Sequence, residues 1–179
     1  MSESPDPLEI LLEIESLDRV PRTGFLLRGV ERPESVAEHS FHLVFLVWRL
    51  GRHEDLDLQR AMALALIHDL AEVRTGDLPR TVAGHLPPGA KHGLERAVLQ
   101  ELFGEGDDAI ALFEEYVAHE TREARFVHDC DRLQLLLKAR LYQRWGTGEL
   151  DELLARVGDE AGSDFPGVAA LEERLRAGR

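Results

Sequence analysis

Ala61-Met-Ala-Leu-Ala-Leu-Ile-His-Asp-Leu-Ala-Glu72 is the stretch on which the fold is decided. From Ala61 to Leu70 it is apolar almost all round, the pattern of a helix buried in a core rather than laid on a surface. His68, Asp69 and Glu72 interrupt that pattern. At helical spacing residues 68 and 72 are four apart and residues 69 and 72 three apart, so all three project toward one face. Burying an imidazole and two carboxylates without partners costs several kcal/mol. A divalent cation is the natural compensation, because it balances carboxylate charge and takes an imidazole nitrogen directly. The plainer account, hydrogen bonding within the core, suffices for a lone His-Asp pair, since the dipeptide is common by chance.

Working outward, the flanking sequence reads as helices joined by short breaks. Upstream, Ser35-Val-Ala-Glu38 fits a capping box and opens a helix through Phe41, Val44, Phe45 and Trp48 to Gly51. Before it, Leu8, Leu11 and Leu12 give a short amphipathic helix closing near Leu17, then an irregular segment broken by Pro21, Gly24 and Gly29. Asp57 caps the helix carrying the opening stretch, which is expected to run on to Gly76 with Pro79 beyond. Downstream, a Gly/Pro-rich loop (84–89) leads to helices over 90–103, 107–119 and 124–145, the last stopped by Gly146. Two terminal helices, 149–157 and 164–176, complete the chain, the final one polar enough to serve as a cover or an oligomer contact. The expectation is an all-α single domain: an N-terminal helix packing on the core (1–18), the core itself (19–146) and C-terminal helices completing the same domain (147–179).

Composition removes several function classes. The chain has 179 residues and a net charge of −13, with no run of basic residues to offset it. Duplex nucleic-acid binding, which draws on a basic surface, is therefore not expected. No apolar run approaches the roughly 20 residues of a membrane helix. The N-terminus lacks the basic start and apolar stretch of a signal peptide, and the single cysteine, Cys130, excludes an internal disulfide framework. Together these features predict a cytoplasmic protein. A chain this acidic binds a phosphate only where a metal or a few arginines reverse the field locally.

Other polar residues interrupt apolar helices elsewhere. His39 lies one turn into its helix, with His42 three residues later on a face it could share. Asp129 and Asp131 interrupt Phe126-Val-His-Asp-Cys-Asp-Arg-Leu-Gln-Leu-Leu-Leu137 and point about 200° apart, so only one reaches a given site. The apolar face of Phe126, Cys130, Leu133 and Leu137 lies slightly nearer Asp129. Periodicity leaves the choice open.

The order His39 … His68-Asp69 … Asp131 resembles the HD-domain superfamily of metal-dependent phosphohydrolases. Within it the match is closer to the 5′-deoxynucleotidases, which hydrolyse deoxyribonucleoside 5′-monophosphates. Arg19-Val-Pro-Arg-Thr-Gly-Phe25, Arg32-Pro-Glu-Ser-Val-Ala-Glu-His39, His68-Asp-Leu-Ala-Glu-Val-Arg-Thr-Gly-Asp-Leu-Pro79 and Glu123-Ala-Arg-Phe-Val-His-Asp-Cys-Asp131 carry the resemblance, which spans about Arg19 to Trp145. The resemblance implies that His39, His68, Asp69 and Asp131 hold one divalent metal, preferring Asp131 to Asp129. It implies Glu72 and Asp77 as catalytic residues, with Asp77, Leu78, Pro79 and Arg80 holding the sugar and excluding a ribose 2′-hydroxyl. The bland counterparts are an orienting partner of His68 for Glu72 and turn chemistry for Asp77. Phe25 aligns with an aromatic that contacts the base. Related bacterial enzymes carry the phosphate-contacting arginine directly before that aromatic, whereas here Arg22-Thr-Gly-Phe25 separates them by two residues. Arg22 takes that role through a local shift, against the alternative of a surface arginine. His42, His53, His85, His92, His119 and His128 match no ligand position and read as structural or surface residues.

Two imidazoles and two carboxylates suit Mn²⁺, Co²⁺, Fe²⁺ or Zn²⁺ better than Mg²⁺. The expected partners are a small nucleotide substrate and, as in the family, a second copy of the chain docked through an apolar face of the terminal helices. The rival readings are an HD-type hydrolase of cyclic nucleotides, triphosphates or guanosine alarmones, and a non-catalytic nucleotide-binding helical module. Retention of Glu72 and Asp77 beside all four candidate ligands argues against the last.

Overall fold

Ser35 and Glu38 close the capping box read from the sequence: the Glu38 N–H donates to Ser35 Oγ (3.1 Å) and the Ser35 N–H to Glu38 Oε2 (2.8 Å). A computed structural model describes residues 6–158 and 162–177. They form α1 (Pro7–Ile14), a 3₁₀ turn (Glu15–Arg19), α2 (Thr23–Leu26), α3 (Val36–Gly51), α4 (Leu58–Ile67), α5 (Glu72–Thr75), α6 (Arg80–Ala83), α7 (Ala90–Phe103), α8 (Asp108–Ala118), α9 (Arg122–Arg144), α10 (Asp151–Gly158) and α11 (Pro166–Arg176). The fold is all-α: apart from one isolated bridge between Pro21 and Ser35, no strand pairing occurs among the described residues.

The centre is a three-helix packing of α3, α4 and α9. Leu43 and Val47 of α3, Ala61, Leu64 and Ala65 of α4, and Phe126, Cys130 and Leu133 of α9 meet there, all fully buried. Gly51 permits the closest approach: a Cβ at that position would stand 2.8 Å from Leu58 Cδ1 and 3.1 Å from Phe126 Cε1. α11 packs on α9, with Val168 and the preceding Phe165 joining the same buried cluster, and Arg132 Nε donates to Glu172 across that contact.

Three expectations need correction. The helix opened by Asp57 does not run to Gly76; α4 ends at Ile67 and a tight turn over 68–71 leads into α5. Backbone bonds there shorten from four residues to three, as in Glu72 N–H to Asp69 O (3.0 Å) and Val73 N–H to Leu70 O (3.2 Å). At about three residues per turn, side chains at i and i+3 eclipse, which sets Asp69 and Glu72 in line. Leu8, Leu11 and Leu12 of α1 stay exposed, and the N-terminal segment is anchored by Leu17, with Ile14 against the same cluster. The apolar dimer face expected on the terminal helices is not found there. Among the described residues the large exposed apolar side chains include Phe41, Phe45 and Trp48 of α3 and none from α10 or α11.

No described helix is long and apolar enough to cross a membrane.

Candidate metal centre

α3, the turn after α4, and α9 each deliver polar side chains to one point in this core. His39 is completely buried, and its Nδ1 lies 2.9 Å from Gln134 Oε1. An amide oxygen only accepts, so Nδ1 carries the proton and Nε2 keeps its lone pair. His68 is set the same way, with Nδ1 2.8 Å from the Ala65 carbonyl oxygen. The two Nε2 atoms then face each other at 3.2 Å. Asp69 Oδ2 stands 3.0 Å from His68 Nε2 and 3.6 Å from His39 Nε2, and Asp131 Oδ1 lies 3.3 Å from His39 Nε2.

Two ring nitrogens and two carboxylate oxygens thus converge on one point. The candidate ligand atoms of His39, His68 and Asp69 all fall within 4.8 Å of one another, with Asp131 closing on His39 beside them. Bonds of about 2.1 Å place neighbouring donors roughly 3.0–3.4 Å apart around one cation, close to the separations found here. Asp131 Oδ1 is also buried without a hydrogen-bond partner.

The electrostatics make the same demand. Burial opposes ionisation of Asp69, but His68, Arg22 and His39 hold it far below the usual carboxylate range. Burial likewise opposes ionisation of Asp131, which His39, His68 and Arg22 pull down. Burial disfavours charge on His68, yet Asp69 and Asp131 raise its pKa overall. Carboxylates pulled down and an imidazole pushed up describe a pocket that stabilises positive charge. The donor set therefore fits a divalent metal.

This group opens into a cleft of about 850 Å³. Arg22 enters it with Nη1 3.0 Å from Asp69 Oδ2. Burial opposes charge on the guanidinium, but Asp69, Asp131, Asp77 and Glu72 raise its pKa overall. Glu72 is 1% exposed, and its Oε2 has no hydrogen-bond partner. Burial, reinforced by Asp69 and Asp77, pushes its carboxyl up to about 10. Lys91 Nζ stands 3.9 Å from Glu72 Oε1 and 3.2 Å from Glu95 Oε1. Asp77 accepts a hydrogen bond from the Thr23 N–H, tying its loop to the Arg22 segment. Leu78, Pro79 and Arg80 line the same cleft. Phe25 reaches the wall with an almost wholly buried ring, edge-on to Tyr142 at 5.0 Å.

Asp129 turns elsewhere, accepting from Ser163 and pairing with Arg132 at 3.0 Å. Of the remaining histidines, His92 pairs with Glu114, and His42 Nδ1 lies 3.6 Å from Glu34 Oε2. His128 stacks on Tyr116 at 4.0 Å and donates to its carbonyl oxygen. Sequence reasoning missed Lys91, Glu95, Tyr116, Glu34 and Gln134. For Gln134 a signal existed: it is the one polar residue in Leu133-Gln-Leu-Leu-Leu137, three residues beyond Asp131. Glu34 carried none, since a glutamate before a helix cap is ordinarily solvated.

A family model described as HD domain matches residues 14–165. The chain belongs to the HD-domain family. Its relatives include the 5′-deoxynucleotidase HDDC2 of Danio rerio, 31% identical over 181 residues, which cover 94% of this chain and 88% of the relative. The human protein of the same name is 33% identical over 141 residues, covering 76% of this chain and 68% of the relative. Among solved structures, a conserved hypothetical protein from Pyrococcus furiosus superposes with a TM-score of 0.79 at 29% identity, covering 95% of this chain and 99% of that one. A "Predicted metal-dependent phosphohydrolase" from Magnetospirillum magnetotacticum superposes at 0.65 and 30% identity, covering 94% and 92%.

Proposed function

We propose that this chain is a metal-dependent phosphomonoesterase that removes the 5′-phosphate of deoxyribonucleoside 5′-monophosphates. The observation that carries the proposal is the convergence of His39 and His68 Nε2 with Asp69 and Asp131 oxygens at the floor of a cleft that also holds Glu72 and Arg22. The names of the HDDC2 relatives support the substrate class, and the Magnetospirillum neighbour's description supports metal dependence. The two imidazoles favour Mn²⁺, Co²⁺, Fe²⁺ or Zn²⁺ over Mg²⁺.

In this reading His39, His68, Asp69 and Asp131 would hold the cation, which when bound would supply Lewis-acid polarisation of the phosphate and lower the pKa of a water. Glu72, once ionised, would accept the water's proton; its Oε2 lies buried in the cleft without a hydrogen-bond partner. Burial is the larger cause of its raised pKa and the field of Asp69 the next; a bound cation would offset that field and favour the carboxylate form. Arg22 offsets charge on the phosphoryl group and fixes its orientation. Asp77, braced by the Thr23 N–H, holds the sugar where a 2′-hydroxyl would crowd it.

The test is a phosphate-release screen over all ribo- and deoxyribonucleoside monophosphates with each of these metals and Mg²⁺. The expected result is metal-dependent phosphate release, faster from deoxyribonucleotides. Pyrophosphate or tripolyphosphate as the product, read by phosphorus NMR with triphosphates supplied, would favour a triphosphohydrolase.

A further inference from the structure

We infer that Gln134 and Glu34 are positioning residues for His39, and that the affinity of the centre for its metal depends on them; this rests on the metal-centre reading above. Gln134 is 2% exposed and Glu34 3% exposed. The His39 Nδ1–H donates to Gln134 Oε1 at 2.9 Å, and Gln134 Nε2 donates to both Glu34 oxygens, at 3.1 and 2.9 Å. Only one orientation of the amide serves both neighbours. Flipped, its oxygen would face the Glu34 carboxylate and its NH₂ would face the imidazole N–H.

Glu34 is itself held from two sides. Lys138 Nζ lies 3.0 Å from its Oε2, and its backbone N–H donates to Tyr142 Oη at 2.7 Å. Along α9, Asp131, Gln134 and Lys138 follow at i, i+3 and i+7, so one stripe supplies a candidate ligand, the amide and the balancing charge. A position that needed only filling would take leucine, as Leu133 and Leu136 do beside it.

The chain of bonds runs from carboxylate through amide to imidazole. It fixes the His39 tautomer and ring plane, and it pushes electron density toward Nε2, the atom that faces His68 and Asp131. An amide cannot take the Nδ1 proton, so that proton stays on Nδ1, and the negative charge stays one residue removed from the centre.

The experiment measures the Mn²⁺ dissociation constant of metal-stripped protein by chelator competition. It compares wild type, Gln134→Met, Glu34→Gln and the exchange Glu34→Gln/Gln134→Glu, with folding checked by circular dichroism. Loss of an outer partner of a ligating histidine typically weakens binding about 10–100-fold, and that loss is expected for Gln134→Met. Glu34→Gln should fall between, and the exchange, which restores one donor facing one carboxylate, should recover most of the affinity. KM for the nucleotide at saturating metal should stay within about twofold, because the relay does not touch substrate. A folded Gln134→Met that binds Mn²⁺ as tightly as wild type overturns the inference; should that variant not fold, an unchanged constant for the shape-preserving Glu34→Gln overturns it equally. A wild type that takes up no Mn²⁺ defeats the metal-centre reading itself, and the relay with it.

Discussion

Replacing Asp69 by asparagine keeps the side-chain shape and removes one charge from the middle of the cluster. Asp69 Oδ2 stands 3.0 Å from His68 Nε2, 3.6 Å from His39 Nε2 and 3.0 Å from Arg22 Nη1, so it faces two candidate metal donors and the phosphate-side cation together. A ligand that binds only the folded state at 100 times its dissociation constant stabilises the fold by about 2.7 kcal/mol. For a chain of this size each kcal/mol moves Tm by about 2–4 °C, so metal should raise the wild-type Tm by about 5–11 °C. Losing a charged ligand should cost at least the roughly 100-fold that losing a partner of one can cost. The same metal concentration then gives only about 0.4 kcal/mol, or roughly 1–2 °C. The assay is scanning calorimetry of chelator-stripped protein with and without Mn²⁺. A variant that keeps the full metal-induced shift would refute the placement of Asp69 among the ligands.

Glu72→Gln should lower kcat about 10²–10⁴-fold, the usual contribution of general base catalysis, while mass spectrometry finds wild-type metal content; joint loss of both would reassign Glu72 to holding the metal site. Asp77→Ala frees the Thr23 N–H and opens the sugar side of the cleft, so the ratio of kcat/KM for ribo- against deoxyribonucleotides should rise about tenfold, the weight of roughly one hydrogen bond. Cys130 is buried in the α3–α4–α9 core, and burial pushes its thiol well above the ordinary range. At pH 8 it should resist iodoacetamide in native protein and react only after denaturation; rapid native labelling would contradict that packing.

How far the fold was legible depended on where each element sits. The capping box at Ser35 and the apolar run from Ala61 to Ile67 are local signals; the structure forms the first, and of the second it buries Ala61, Leu64 and Ala65 while Leu66 stays exposed. The break after Ile67 had no such signal, because Leu70, Ala71 and Glu72 are good helix formers and packing overrode their propensity. The choice between Asp129 and Asp131 failed on periodicity for a related reason. α9 is packed against α3, α4, α8, α10 and α11, so it has no single apolar arc from which to measure an angle. Asp129 is drawn to Ser163 and Arg132, partners far away or on its own helix, and only the assembled fold shows that. Gln134 is the instructive omission. Like His68 it is a polar residue inside an apolar run, but an amide carries neither the charge nor the ligand chemistry that marks histidine and aspartate in a sequence.

The most direct test is anomalous diffraction from crystals grown with Mn²⁺ or Co²⁺. One strong peak is expected about 2.0–2.3 Å from His39 Nε2, His68 Nε2 and a carboxylate oxygen each of Asp69 and Asp131. Active, metal-loaded protein whose only peak lies elsewhere, with Asp131 turned away from the histidine pair, would contradict this placement.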